Sequence, residues 1–330
     1  MTDPVRVGIL STAHVHTEAY AELLSAFDDV EFVGIADDDA DAATELAAAY
    51  GTECRPTDEL LNDAHGVVVC SPNATHERWV AEAADAGVDV LCEKPLAPTY
   101  DQARSIADTC EDAGINAGLV MPLRFSPLAR EAKTRFDEGA VGDLRFVTGT
   151  NRGKMPGGWF VDPDLAGGGA IMDHTVHILN LVRWITDEEV ETVYAESGTR
   201  FHDIPVDDVN VLSMTLSDGT PFTLDGSWSR PDEWDTWGDA TLELLGTEGV
   251  VSMDSTEQAI KHTRDTGDDP GIRSVAFGGD FNRGSLRNFV DAIRDDEHPL
   301  STMEDGAREA AVVEAAYESA ESGAVVDVEY

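Results

Sequence analysis

Lysine is nearly missing from this chain. It supplies four of the 22 basic residues (Lys94, Lys133, Lys154 and Lys261), against 65 aspartates and glutamates. The formal net charge of -43 and a pI near 4.2 leave no positive footprint for a nucleic acid or an anionic membrane. The acids are spread along the chain among ordinary apolar content rather than gathered in a tail, so they read as the solvated surface of a folded protein. Such a surface suits molar salt, where the Debye length falls to roughly 3 Å, and a halophilic source is expected. Cysteine is scarce too: Cys54, Cys70, Cys92 and Cys110 lie in the first third with no CxxC or Cys/His spacing. They read as small buried hydrophobes in a reducing compartment. No apolar run approaches the roughly 18 residues of a membrane span. The start, Met1-Thr2-Asp3-Pro4, carries no basic leader, so no signal peptide is expected and the protein is expected to be cytoplasmic.

At 330 residues the chain is long enough for two cores. Up to about residue 120, short β-branched runs (5–11, 30–36, 66–70, 88–92, 115–119) alternate with alanine-rich helical stretches (41–50, 75–86, 100–113). Continuous apolar strands separated by helices predict a doubly wound parallel sheet covered on both faces. After Met121-Pro122 the pattern changes. Helices are predicted over 127–138 and 170–185. Strands over 144–150, 190–196, 209–216, 222–228, 240–245 and 250–253 alternate apolar with polar residues, which predicts a mostly antiparallel sheet with one face buried. Helices 282–295 and 303–322 are expected to cover that sheet, and a strand over 324–329 to end the chain. The polar stretch 263–271 is the only loop long enough to be mobile. The fold class is therefore α/β: a dinucleotide-binding domain over 1–122, then an α+β substrate-binding and oligomerisation domain over 123–330 with a large open sheet.

The turn after the first strand reads Gly8-Ile9-Leu10-Ser11-Thr12-Ala13-His14-Val15-His16, so Ser11, Ala13 and His16 stand where a dinucleotide fingerprint carries three glycines. Ser11, Thr12, Ala13 and His14 are the candidate pyrophosphate-binding residues at a helix N-terminus. Asp37 follows about 20 residues on, where a carboxylate accepts the adenine ribose hydroxyls. Asp38 adds charge, and no Arg or Lys lies between Asp28 and Gly51. NAD is therefore expected, with NADP less favoured. Ser71, Pro72, Asn73 and His76, and then Glu93 with Lys94, end later strands and complete the cofactor set.

These residues carry a family resemblance. Ser71-Pro72-Asn73 with His76, Glu93-Lys94-Pro95, Arg124 with Pro127, Gly167-Gly168-Gly169, Asp173 with His177, and the segment Phe289-Val290-Asp291-Ala292-Ile293-Arg294 together resemble the Gfo/Idh/MocA oxidoreductases, named for glucose-fructose oxidoreductase and inositol dehydrogenase. The resemblance spans nearly the whole chain. It implies a Rossmann domain followed by an open-sheet domain, NAD(P) as cofactor, a sugar or polyol substrate, and a dimer or tetramer formed through the sheet. It also gives Lys94 a role in substrate contact and proton transfer, and places Asp173 and His177 beside the reacting hydroxyl. The family's usual Asp-x-Gly-x-His reads Asp173-His174-Thr175-Val176-His177, so Thr175 replaces its glycine, and Asn180 replaces its aspartate three residues further on. His174 and Asn180 join Lys94, Arg124, Trp159, Asp173 and His177 in the candidate substrate set.

Oxidising an alcohol needs a hydride acceptor and a base for the hydroxyl proton. Asp173 and His177, at i and i+4, share one helical face. His177 can therefore reach the hydroxyl while Asp173 orients its ring or binds a neighbouring hydroxyl. Lys94 lowers the hydroxyl's pKa or is itself the base; the order adopted is His177 as base and Lys94 as electrostatic partner. Trp159 is core, pocket wall or part of a sugar pocket. Arg124 pairs with an acid or contacts cofactor or substrate. His14, His16, His174 and Asp173 suggest a metal, but no independent ligand set completes a site, and none is expected. Two other readings stay open: a regulator that binds cofactor or sugar without turnover, and a glycosidase that uses tightly held NAD.

Overall fold

The computed structural model describes residues 3–234, 236–255, 259–264, 271–276 and 280–330, with backbone alone for 259–264 and 271–276. Two compact units result, Met1–Pro122 with Asp164–Gly167 and Asn282–Ala310, and Leu123–Pro163 with Gly168–Phe281 and Ala311–Tyr330.

In the first unit β1 (Val5–Leu10), β2 (Val30–Ala36), β3 (Gly66–Val69), β4 (Asp89–Cys92) and β5 (Ala117–Leu119) form one sheet in the order β2-β1-β3-β4-β5. All its pairs are parallel, as the continuous apolar runs require. The winding reverses between β1 and β3, and this is where open α/β sheets take ligands at the strands' carboxyl ends. Local chemistry sets the helix ends. Asp39 caps Ala40–Ala49 by accepting from the amides of Asp41 and Ala42, and Thr99 caps Tyr100–Ala113, which Gly114 ends in the left-handed conformation. A seven-residue helix, Thr57–Asp63, was not anticipated; it is too short to show a period.

Helix Phe281–Asp295, expected to cover the second sheet, instead packs Leu286, Phe289 and Val290 into the core of the first unit with Val7, Ile9, Tyr20 and Leu24. Gly66 makes room for it, since a Cβ there would lie 2.8 Å from the Phe289 ring and 2.6 Å from Ile293.

The second unit holds β6 (Leu144–Thr150), β7 (Val190–Gly198), β8 (Val209–Leu216), β9 (Pro221–Asp225), β10 (Thr241–Gly246), β11 (Val250–Asp254), β12 (Ala259–Arg264), β13 (Gly271–Ala276) and β14 (Val326–Asp327). Their order is β13-β12-β11-β10-β6-β9-β8-β7-β14, antiparallel except for β6 with β9. On β8, Asn210, Leu212, Met214 and Leu216 are buried while Val211 and Ser213 are exposed, which is the alternation of a sheet with one face covered. Helix Ala170–Thr186 packs on β8 and β9, and Gly149 on β6 allows the approach of Ile178, which would lie 2.6 Å from a Cβ. The stretch read as a polar loop is partly the hairpin β12–β13; its centre, 265–270, lies outside the described residues.

Candidate active site

The first unit gathers its site where β1, β3 and β4 end. β1 gives way at Ser11, whose φ of 68° lies in the left-handed region, the conformation that the first glycine of a dinucleotide fingerprint serves. A serine there costs of order 1 kcal/mol. Ser11→Gly is therefore expected to raise stability, by up to about 1 kcal/mol, and Ser11→Val to lower it by more than about 1 kcal/mol; equal melting points for the two variants would contradict the strain.

The turn is wired to its neighbours. The Ser11 amide donates to the Ala36 carbonyl at 2.8 Å and the His14 amide to that of Cys70 at 2.9 Å. The Thr12 amide donates to Asp37 Oδ2, as does its hydroxyl at 2.7 Å, and the Asp39 amide donates to Oδ1 at 3.0 Å. The Ala13 amide contacts Ser11 Oγ at 3.4 Å and the His16 amide contacts His14 Nδ1 at 3.2 Å. A carboxylate offers about four lone-pair sites, so Asp37 keeps one for a ribose hydroxyl.

Asn73, buried at the exit of β3, donates from Nδ2 to the Ala166 carbonyl at 2.8 Å, and its Oδ1 is buried without a hydrogen-bond partner. The left-handed turn at Ser11, the small Ala13, the spare acceptor on Asp37 and the orphaned Asn73 oxygen fit a nucleotide. Ser71 and His76 are wholly buried, and the His76 ring spans the Leu96 and Ser71 carbonyls, each at 3.0 Å. It thus ties the exits of β3 and β4 together. Burial lowers its pKa, and hydrogen bonds to the two carbonyls oppose the shift.

Glu93, just past β4, is 0% exposed. It lies 3.0 Å from His16 Nδ1 and 3.3 Å from His14 Nδ1, accepts the Tyr20 hydroxyl, and receives the Lys94 amide at 3.0 Å. Burial pushes its pKa up, but His14, His16 and Lys94 outweigh that and hold it well below the carboxylate range. One expectation is corrected here. Glu93 does join His14 and His16, with ligand atoms all within 4.8 Å of one another; the sequence hid this third member 77 residues away. Its oxygens are already taken up by the Tyr20 hydroxyl and the Lys94 amide as well as the two rings, so hydrogen bonding accounts for the group. Burial, and then the negative charge of Glu93, push the thiols of Cys70 and Cys92 well above their ordinary pKa, and burial raises that of Cys110 to about 12. Cys54 is half-buried, and all four cysteines are free.

A second correction concerns the ribose edge, which the sequence furnished with acids alone. Arg78, from helix His76–Asp85, places Nη2 2.7 Å from Asp38 Oδ2.

In the second unit Gly168 and Gly169 bring the start of helix Ala170–Thr186 against Tyr317 and Asp207; a Cβ on Gly169 would lie 2.0 Å from the Asp207 carbonyl. The Asp207 carboxylate then caps the helix, accepting the Gly169 amide at 3.0 Å, the Ile171 amide at 2.9 Å and the Tyr317 hydroxyl at 2.8 Å. Asp173, in the first turn, is buried. Its Oδ2 accepts the indole N–H of Trp228 at 3.1 Å and lies 3.3 Å from His174 Nε2. His177 stands one turn on and is half-buried, and Asn180, buried, lies one position short of a further turn. His174 is close against Gly153, where a Cβ would lie 2.4 Å from its ring.

Trp159 stacks on Phe160 at 3.9 Å beside an apolar cluster that includes Trp228. Arg124 is buried; its guanidinium lies 5.9 Å from the Trp184 ring and 3.5 Å from the Asn180 carbonyl. Sequence reasoning missed Trp228, Tyr20 and Arg78. Only spatial proximity links each to its partner, and no motif carried it.

Two family models match the chain. The oxidoreductase-family model for an NAD-binding Rossmann fold covers residues 5–118, and the GFO/IDH/MocA C-terminal domain covers residues 129–252. The chain belongs to the Gfo/Idh/MocA family. It is thus an oxidoreductase whose first unit is an NAD-binding Rossmann domain. Among relatives of this Gfo/Idh/MocA protein, the D-xylose 1-dehydrogenase (NADP(+)) 2 of Haloferax volcanii is 29% identical over 98% of this chain and 99% of its own. The myo-inositol 2-dehydrogenase of Thermotoga maritima is 26% identical over 92% of each. The crystal structure of GenD2 from gentamicin A biosynthesis, in complex with NAD, superposes with a TM-score of 0.87 at 28% identity, over 100% of this chain and 98% of that one.

Proposed function

We propose that this oxidoreductase moves a hydride between a nicotinamide nucleotide and a secondary or anomeric hydroxyl of a sugar, polyol or related compound. The observation that carries the reading is the first eight residues of helix Ala170–Thr186. There the buried Asp173 is fixed by Trp228, and the half-buried His177 follows on the same face. The names of the xylose and inositol relatives support the substrate class.

In the oxidative direction the hydroxyl loses its proton to His177 Nε2 or Nδ1 while the carbon loses hydrogen with its electron pair, and a carbonyl forms. Asp173 holds a neighbouring hydroxyl as acceptor, and its Trp228 hydrogen bond prevents the carboxylate from turning away. Lys94 supplies positive charge for the developing alkoxide. NAD(P), when bound, supplies the hydride acceptor.

A screen of sugars and polyols that follows NADH formation in molar KCl tests the reading, with rapid reduction by at least one hydroxy compound expected. A second reading, a regulator without turnover, rests on the amides of Thr12, Ala13, His14 and His16 being engaged within the chain. Nucleotide binding with no reduction across the screen would favour it. The acidic surface supports molar salt as the working medium, and the four free cysteines support a reducing compartment, the cytoplasm. Exposed Val211 on β8 supports a dimer or tetramer through the sheet; light scattering in molar KCl is expected to give a multiple of 35.5 kDa, and the single-chain mass would count against it.

A further inference from the structure

We infer that Arg78 forms a binding site for the 2′-phosphate of an adenine ribose, so that the protein takes NADP as well as NAD and Asp38 restrains the difference between them. The inference rests on the nucleotide reading of the first unit. Asp37, the candidate ribose acceptor, and Asp38, the partner of Arg78, are consecutive residues at the end of β2. The guanidinium is therefore one residue from the place where NAD and NADP differ. Arg78 Nη2 lies 2.7 Å from Asp38 Oδ2 and its Nε lies 3.7 Å from Glu82. Its Cζ stands 4.1 Å from the centroid of the buried Trp79 ring, which steadies the guanidinium.

The pair is exposed, at 47% for the arginine side chain and 72% for the aspartate. Such ion pairs contribute little, so Arg78 can leave Asp38 at small cost. A phosphate dianion accepts two parallel N–H bonds from a guanidinium, which a single carboxylate oxygen does not. The acids at 37, 39 and 41 oppose a second negative charge, so NAD remains the tighter ligand. Arg78 narrows the gap, and Asp38, by competing for it, keeps part of the gap open.

NADH and NADPH differ only in that phosphate, and titrating each into the protein without substrate, by nucleotide fluorescence in molar KCl, isolates it. Arg78→Gln is expected to weaken NADPH by about tenfold or more while leaving NADH within about twofold, and Arg78→Lys, a point charge without the fork, to fall between. Asp38→Asn is expected to tighten NADPH severalfold. Equal weakening of both nucleotides in Arg78→Gln, or unchanged NADPH binding, would overturn the inference. If the unaltered protein bound neither nucleotide, the coenzyme reading itself would fall and this site with it; NADH binding with a failed Arg78 result would remove the site alone.

Discussion

Lys94→Ala is expected to lower kcat by about 100- to 10,000-fold, the range that a positioned acid–base or electrostatic group commands, while NADH affinity changes little. The backbone around Lys94 has an anchor besides its side chain: its amide donates to Glu93 Oε2 at 3.0 Å, and Glu93 is held in turn by Tyr20 and two imidazoles. Truncation should therefore remove the ammonium without loosening the strand exit. His177→Ala is expected to lose a comparable factor, and the pH profile distinguishes the two residues. If His177 takes the proton, kcat/KM of the unaltered enzyme rises with pH through a limb that Lys94→Ala retains and His177→Ala loses. A limb that survives in His177→Ala and vanishes in Lys94→Ala would exchange their roles. Full turnover by Lys94→Ala on an identified substrate would remove the lysine from the chemistry altogether.

How much of this was legible beforehand depended on whether the signal was local. The continuous apolar runs announced the parallel sheet, and the alternation on β8, matched end for end at Val209–Leu216, announced the antiparallel one. The alanine-rich stretch 100–113 is the helix Tyr100–Ala113, its ends set by Thr99 and Gly114. Both depend on neighbours in sequence. What failed depended on neighbours in space. Helix Phe281–Asp295 has the same amphipathic face whichever sheet it covers, so its destination could not be read from it. Trp228 ended a predicted strand and gave no sign of the aspartate 55 positions earlier whose oxygen it holds. No Arg or Lys lies between Asp28 and Gly51, and the basic residue at the ribose edge comes from position 78. Ser11 was visible as a lost glycine, but only the backbone reveals that it adopts the glycine's conformation.

Glu93→Gln is expected to destabilise the first unit by about 3–5 kcal/mol, the cost of breaking a buried charge network by removing one partner, and to flatten its acid limb. The carboxylate is wholly buried and serves four groups at once, from His14, His16, Tyr20 and Lys94. An amide of the same shape keeps one acceptor but presents an NH2 that meets donors. The sign of the pH effect follows from the direction of the shift. Because His14, His16 and Lys94 hold the folded pKa well below the ordinary 4.5, despite the burial that opposes them, the carboxylate's contribution is fully present above about pH 4.5. It fades as pH falls from there toward the folded value. The unaltered protein should therefore lose stability through this window, and Glu93→Gln should lose less across it from a lower starting point. Thermal melts from neutral pH into the acid range, followed by circular dichroism, measure both. Parallel acid limbs in the two proteins would mean that Glu93 is not the group that titrates, and an undiminished melting point at neutral pH would mean that the buried cluster does not hold the nucleotide turn in place.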